Sequence, residues 1–118
     1  FIVILQYIIM GLTKRDIYTD EQNKLALLAK AIGHPARIAI LQNLLVRKTC
    51  ICGDLVLEIG LSQATVSQHL KELKTAGLIK GTIDGPRMCY CIDLKKFEEA
   101  KRLISQLLSV EGSKFYCC

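Results

Sequence analysis

Six cysteines stand in three tight pairs in this chain of 118 residues: Cys50 with Cys52, Cys89 with Cys91, and Cys117 with Cys118. Thiols at such spacing suit two chemistries, soft-metal ligation and redox exchange. A disulfide scaffold spreads its cysteines to staple separate loops, whereas residues 1–49 hold none. The cysteines are therefore expected to be reduced thiols of a cytoplasmic protein. In a strand, residues i and i+2 share a face, so Cys89 and Cys91 point together. In a helix the same spacing turns the side chains about 200° apart. Cys50 and Cys52 can then share one ion only where the backbone is not helical, an irregularity that Gly53 permits. Either pair can also pack as small hydrophobes, and Cys89 and Cys91 can equally supply a ligand, form a second site or pack.

A second chemistry lies at residues 62–71. If Val66, Leu70 and Leu73 face a core, the opposite helical stripe is Gln63, Ala64, Ser67, Gln68 and Lys71. Gln pairs bidentately with adenine, Ala meets a thymine methyl, Ser bonds a base or a phosphate, and Lys71 suits a phosphate. The stripe has no acidic residue, as a face laid on DNA requires. His34 and His69, the two histidines, are read more blandly, His34 as a helix cap before Pro35 and His69 as a local packing residue. No Cys-x-x-Cys and no nucleophile–base–orienter set is visible, which counts against a thiol enzyme.

The elements that must position these residues are mostly helices. Thr19-Asp20-Glu21-Gln22 has the form of a capping box, and Leu25, Leu28, Ala29 and Ile32 follow on one face. Gly33 ends this helix, and Pro35 starts the next, whose stripe is Ile38, Leu41 and Leu45. Residues 53–59 predict a short third helix that Gly60 stops. Ser62 caps a fourth, which ends at Ala76-Gly77. The period then shortens: 78–83 and 88–92 read as strands around the Asp84-Gly85-Pro86-Arg87 turn. Asp93 caps a last helix with Phe97, Ala100, Ile104 and Leu107 on one face, widened by Leu103 and Leu108. The expected fold is mainly α with a small β-hairpin: a winged helix-turn-helix of order ααααββα, dimeric, with Arg87 at the wing tip.

The runs Leu28–Ile38, Cys50-Ile51-Cys52-Gly53-Asp54-Leu55 and Leu61–Leu70 together resemble the ArsR/SmtB family, over roughly residues 20–110. That resemblance implies a dimeric winged-helix repressor released from operator DNA by a metal or metalloid. In its arsenic-responsive branch a Cys-x-Cys segment at the start of the third helix binds As(III) or Sb(III), and Cys50 and Cys52 match those two cysteines. Gly53 adds a residue before Asp54, and Leu55 occupies the place of a third cysteine in some members. The third thiolate is then sought at Cys89 or Cys91. Cd(II), Pb(II) and Bi(III) are alternative thiophilic effectors. The branch that senses zinc through histidines of the last helix is not matched, because residues 93–110 contain no His. A thiol-redox or sulfide-responsive repressor of the same fold is the alternative function, and a thiol enzyme a more distant one. The expected DNA-binding set is Ser62, Gln63, Ala64, Thr65, Ser67, Gln68, Lys71 and Arg87.

Composition bounds the rest. Hydrophobic residues make up 51% of the chain and Gly plus Pro number 8 and 2, which suits one compact domain and excludes disorder. Lys plus Arg exceed Asp plus Glu by 16 to 11, for a net charge of +5. That balance favours an anionic partner only mildly, so the expected partner, a pseudo-palindromic double-stranded operator, must be bound through geometry. Residues 1–19 form an N-terminal segment, 20–110 the DNA-binding and dimerisation domain, and 111–118 a tail. Residues 1–9 are apolar except Gln6 and far shorter than the ~20 residues of a membrane span. They are expected to be a start-site artefact, with Met10 as initiator, or an arm that extends a dimer interface. No membrane partner is expected.

Overall fold

The computed structural model describes residues 17–52, 60–83 and 88–112. The expected helix at 53–59, the turn at 84–87 with Arg87, residues 1–16, and the last six residues with Cys117 and Cys118 lie outside them. The described elements are α1 (Asp20–Ile32), α2 (Pro35–Arg47), β1 (Ile51–Cys52), α3 (Gln63–Thr75), β2 (Ile79–Thr82), β3 (Cys89–Ile92) and α4 (Leu94–Leu108).

Each described helix begins where a side chain can accept from its free N–H groups. The Gln22 amide donates to Thr19 Oγ1 at 3.0 Å and the Thr19 amide to Gln22 Oε1 at 2.9 Å, the reciprocal box expected. His34 Nδ1 accepts from the Ala36 amide at 3.0 Å, so His34 is indeed a cap. Ser62 Oγ accepts from Thr65 and Asp93 Oδ1 from Lys96, both at 3.3 Å. Gly77 follows α3 with a φ of 84°, the left-handed residue that ends helices without a Cβ clash.

The core collects Leu28 and Ala31 of α1, Ile40, Leu41 and Leu44 of α2, Val66, Leu70 and Leu73 of α3, and Ala100 and Leu103 of α4. The α3 stripe is the one expected. In α2 the face is rotated: Ile40 and Leu44 are buried, while Ile38 and Leu45 stay 41% and 43% exposed. This helix is apolar on several sides, and 38/41/45 and 37/40/41/44 are both helical stripes through Leu41. Periodicity cannot choose between them; packing against α3 and the sheet does. In α1, Ala31 is buried in place of Ala29.

The hairpin is one strand larger than expected. The sheet has the order β1-β3-β2, with both neighbours antiparallel. Ile51 pairs with Tyr90 and Cys52 with Cys89; Lys80 pairs with Cys91 and Gly81 with Tyr90. Ile51 and Tyr90 are both buried, so this pair faces the core, and the pleat sends the flanking cysteines to the other face.

Candidate thiol cluster and nucleic-acid interface

Ile51 and Cys52 of the Cys-x-Cys segment form strand β1, and the expected helix at 53–59 lies outside the described residues. The non-helical backbone that a shared ion requires has a simple cause: Ile51 gains a buried place opposite Tyr90 only if the backbone around it is extended. Extension removes the 200° problem of a helix, because Cys50 and Cys52 now lie one pleat apart on one face. The register brings Cys52 opposite Cys89, with Cα atoms 4.1 Å apart, and these two are joined as a disulfide. Reduced thiols throughout were expected, and this pair departs from that. Directly opposed residues on antiparallel strands place their side chains side by side on one face, so the pairing itself brings the two sulfurs together.

The same ladder, continued one pleat, sets Cys50 against Cys91. Both are free thiols, Cys50 exposed and Cys91 half-buried, and their side chains are within hydrogen-bonding reach. The hydrogen bond with Cys50 and then burial push the Cys91 thiol up, against the pull of the Lys80 ammonium on the neighbouring strand. Cys50, Cys52, Cys89 and Cys91 are thus brought together on one face, two from each strand. With Cys52 and Cys89 joined, no group of three or more His, Cys, Asp or Glu side chains suited to a metal is gathered among the described residues. Reduction of that disulfide returns a set of four sulfur donors, which fits a soft ion by its chemistry.

Beside the thiols lies a cleft of about 450 Å³ lined by Leu44, Leu45, Ile92 and Leu94, together with Lys48, Thr49, Lys80 and the two free cysteines. Nothing in the sequence marked it, because its walls come from α2, β2, β3 and the start of α4.

On α3, Gln63, Ala64, Thr65, Gln68 and Lys71 are exposed and Ser67 is half-buried. Some of the expected DNA-binding residues are already engaged. Ser62 and Thr65 hold each other, hydroxyl to hydroxyl at 2.9 Å, in the cap. The Ser67 hydroxyl is turned toward the sheet, 3.8 Å from Met88 Sδ. Gln68 Nε2 makes a loose contact of 3.5 Å with Glu72 on the next turn. At the far end of the helix, Lys74 Nζ donates to the Gly81 carbonyl at 2.7 Å, which ties α3 to the first strand of the hairpin.

His69 faces inward instead, its ring centroid 4.3 Å from that of His34. Burial, followed by the nearby His34 and Arg37, holds His69 below its ordinary 6.5. A tilted histidine pair, its rings inclined by 46°, joins the cap of α2 to α3 and was missed by the sequence reading. Two residues 35 positions apart carry no local signal that they meet.

Comparison with known proteins agrees with this architecture. Residues 34–80 match the family model described as "Bacterial regulatory protein, arsR family". The chain is 33% identical over 84 residues to the uncharacterized HTH-type transcriptional regulator Rv0081 of Mycobacterium tuberculosis, covering 68% of this chain and 74% of that one. It is 36% identical over 85 residues to the HTH-type transcriptional regulator YgaV of Escherichia coli, covering 72% and 83%. Among solved structures, HlyU from Vibrio cholerae superposes with a TM-score of 0.59 at 26% identity, over 77% of this chain and 98% of that one.

Proposed function

Because this chain belongs to the arsR family of bacterial regulatory proteins, and is therefore a DNA-binding transcriptional regulator and not an enzyme, we propose that it is a cytoplasmic homodimeric repressor whose hold on operator DNA is set by a thiophilic effector at Cys50, Cys52, Cys89 and Cys91. As(III) or Sb(III) is the effector the site suits best, with Cd(II), Pb(II) and Bi(III) as alternatives of the same softness. The observation that carries this reading is the β1–β3 register, which opposes the Cys-x-Cys segment to the second cysteine pair. A trivalent soft ion favours three thiolates. The reduced ladder offers four, so the missing ligand comes from β3 and not from Leu55.

The site's place in the fold supports a route to DNA. β3 belongs to the thiol cluster and also to the hairpin that follows α3. β2 pairs along it, and the Lys74–Gly81 bond connects β2 to the proposed reading helix. Drawing thiols of β1 and β3 around an ion re-registers a ladder on which the orientation of α3 rests. To invert occupancy from 99:1 to 1:99 the effector must favour the released form by about 5.5 kcal/mol. A site that distorts this ladder can supply such a difference.

The Cys52–Cys89 disulfide favours a second reading, in which oxidation of the same thiols is itself the signal. One experiment separates the two. Reduced protein is titrated separately with As(III), Cd(II), Zn(II) and a disulfide-forming oxidant on a duplex that it has selected from a random pool. In the metalloid reading, As(III) releases the wild type, while Cys50→Ser and Cys52→Ser bind DNA normally and do not let go. If Cys50→Ser releases as the wild type does, the site is elsewhere. If only oxidant releases the wild type, the redox reading holds.

A further inference from the structure

The two histidines of the chain meet where α2 begins, with ring centroids 4.3 Å apart. His34 is the cap of α2 and His69 lies in the middle of α3. Their contact therefore joins the start of one helix to the flank of the helix that carries the proposed reading face. A proton disturbs this contact on either ring. His34 Nδ1 accepts from the Ala36 amide at 3.0 Å, and a proton on that atom would end the cap. His69 Nδ1 is buried without a hydrogen-bond partner, and a proton there would make a buried donor with no acceptor. Burial, then His34 at the cap and Arg37 in α2, oppose a charge on His69, while Glu72 of its own helix favours one. Arg37 is held in place by the Lys30 carbonyl at the end of α1, 3.4 Å from its Nη2. Helix α1 and strand β2 also pack against α3, and among the described residues neither brings a charge or an acceptor to the His69 ring.

We infer that the His34–His69 contact is a proton-sensitive latch that positions α3 for DNA: with both rings neutral α3 is seated on the start of α2, and protonation parts the two and weakens specific binding. His69 is a positioning residue in this device and does not itself touch the duplex. The inference rests on α3 as the reading helix and adds a signal that does not pass through the cysteines. Histidine is the side chain whose ordinary value falls between pH 5 and 8, and this chain has two. The neighbours named above hold His69 below its ordinary 6.5. Above that value the latch is closed. As pH falls below it, the parted form takes up the proton that the seated form refuses, and affinity for the operator falls with it. A histidine that merely lay beside phosphates would act in the opposite direction, because its charge would tighten every duplex.

The test uses the full chain, kept reduced with a phosphine. Fluorescence anisotropy measures its affinity for a duplex it has selected and for a scrambled one, at pH 7.5, 6.5 and 5.5 and constant ionic strength. Far-UV circular dichroism follows helix content at each pH. Specific affinity is expected to fall at least about fivefold from pH 7.5 to 5.5, as it must when one histidine of each bound chain has to stay neutral, while helix content holds. His69→Gln carries no titrating ring, so its affinity should change by about twofold or less over the same range, whatever its value at pH 7.5. His34→Ser keeps a side-chain cap on α2 and removes the facing ring, and it should likewise cut the fall to about twofold or less. A wild-type affinity that stays level or rises on acidification, a full fall in either variant, or a fall that only accompanies loss of helix would each overturn the inference. Failure of α3 as the reading helix shows differently, as unchanged discrimination by Gln63→Ala and Gln68→Ala at pH 7.5.

Discussion

Gln63 and Gln68 carry the base-reading chemistry of the proposed operator complex, because their neighbours on α3 are partly engaged elsewhere. Ser62 and Thr65 are held in the cap and Ser67 is turned to Met88, while Gln63, Ala64, Lys71 and Gln68, the last in loose contact with Glu72, stand at the exposed side. Gln63→Ala and Gln68→Ala should each weaken specific binding by about 1–3 kcal/mol, the worth of a bidentate base contact. Fluorescence anisotropy on selected and scrambled duplexes checks this, and unchanged discrimination in both variants would remove α3 from the reading role. His69 makes a second expectation at this scale. Its folded-state value lies below its ordinary 6.5, so as pH falls through that ordinary value the unfolded chain takes up a proton before the folded one does. Stability should therefore be full above neutral pH and decline as pH drops below about 6.5. His69→Gln should flatten that decline in urea melts taken from pH 7.5 to 5.5, and a wild-type decline that persists in the variant would assign it to other groups. The sequence showed which residue types bear chemistry. Ser62 was legible as a cap, but the meeting of the His34 and His69 rings was not, since it depends on how α2 and α3 cross.

At the scale of elements, the strongest signals were the ones that local physics fixes alone. Caps at Thr19, His34, Ser62 and Asp93, and the helix end at Gly77, follow from unpaired N–H groups and from φ, so they were legible. Strand β1 was not. Two residues make it, and only Tyr90, far along the chain, tells Ile51 to extend; without that partner the segment reads as the ragged start of a helix. The disulfide followed the same blindness, because Cys52 and Cys89 are 37 residues apart in sequence and meet through register alone. Gly81 shows how tightly that register is held. It lies opposite Tyr90 with a φ of 126°, and a Cβ built there would come within 2.1 Å of the Cys89 carbonyl oxygen. Gly81→Ala must push β2 away from β3 or flip its own backbone. The expected loss is about 1–3 kcal/mol of stability, read as a lower urea midpoint with an unchanged slope. Because the Gly81 carbonyl also holds Lys74, the variant should weaken DNA binding even at temperatures where it remains folded. Wild-type stability would mean that the strands are not as close as the ladder places them.

At the scale of the whole molecule, the proposed homodimer would make up for a modest charge. A net charge of +5 gives one module few phosphate contacts, and each contact neutralised contributes only about 0.9 to the salt slope on duplex DNA. Doubling the module doubles the contacts, and a two-fold axis sets two α3 helices against half-sites about 34 Å apart on a pseudo-palindrome. The chain carries a surface suited to that pairing. The start of α1 lies against the end of α4, with Thr19, Gln22, Leu25, Leu103 and Leu107 around one shallow cleft. Ile17, Tyr18, Leu107, Leu108 and Val110 are 70%, 54%, 62%, 69% and 65% exposed at that end. The sequence pointed to this surface through a last helix too widely apolar for one small core, and α4 indeed buries Ala100 and Leu103 while leaving Leu107 and Leu108 to water. Leu107→Asp with Leu108→Asp tests the pairing with little risk to the fold, since neither side chain belongs to the core. Burying an apolar side chain of this size stabilises an interface by about 1.5–3 kcal/mol, and a buried carboxylate costs more. The double variant should therefore sediment as a folded monomer at micromolar concentrations where the wild type is a dimer. It should also bind a full pseudo-palindrome no better than a single half-site, and its salt slope should fall to about half. A wild-type monomer under those conditions, or a double variant that stays dimeric and binds the full site as tightly, would place the interface elsewhere.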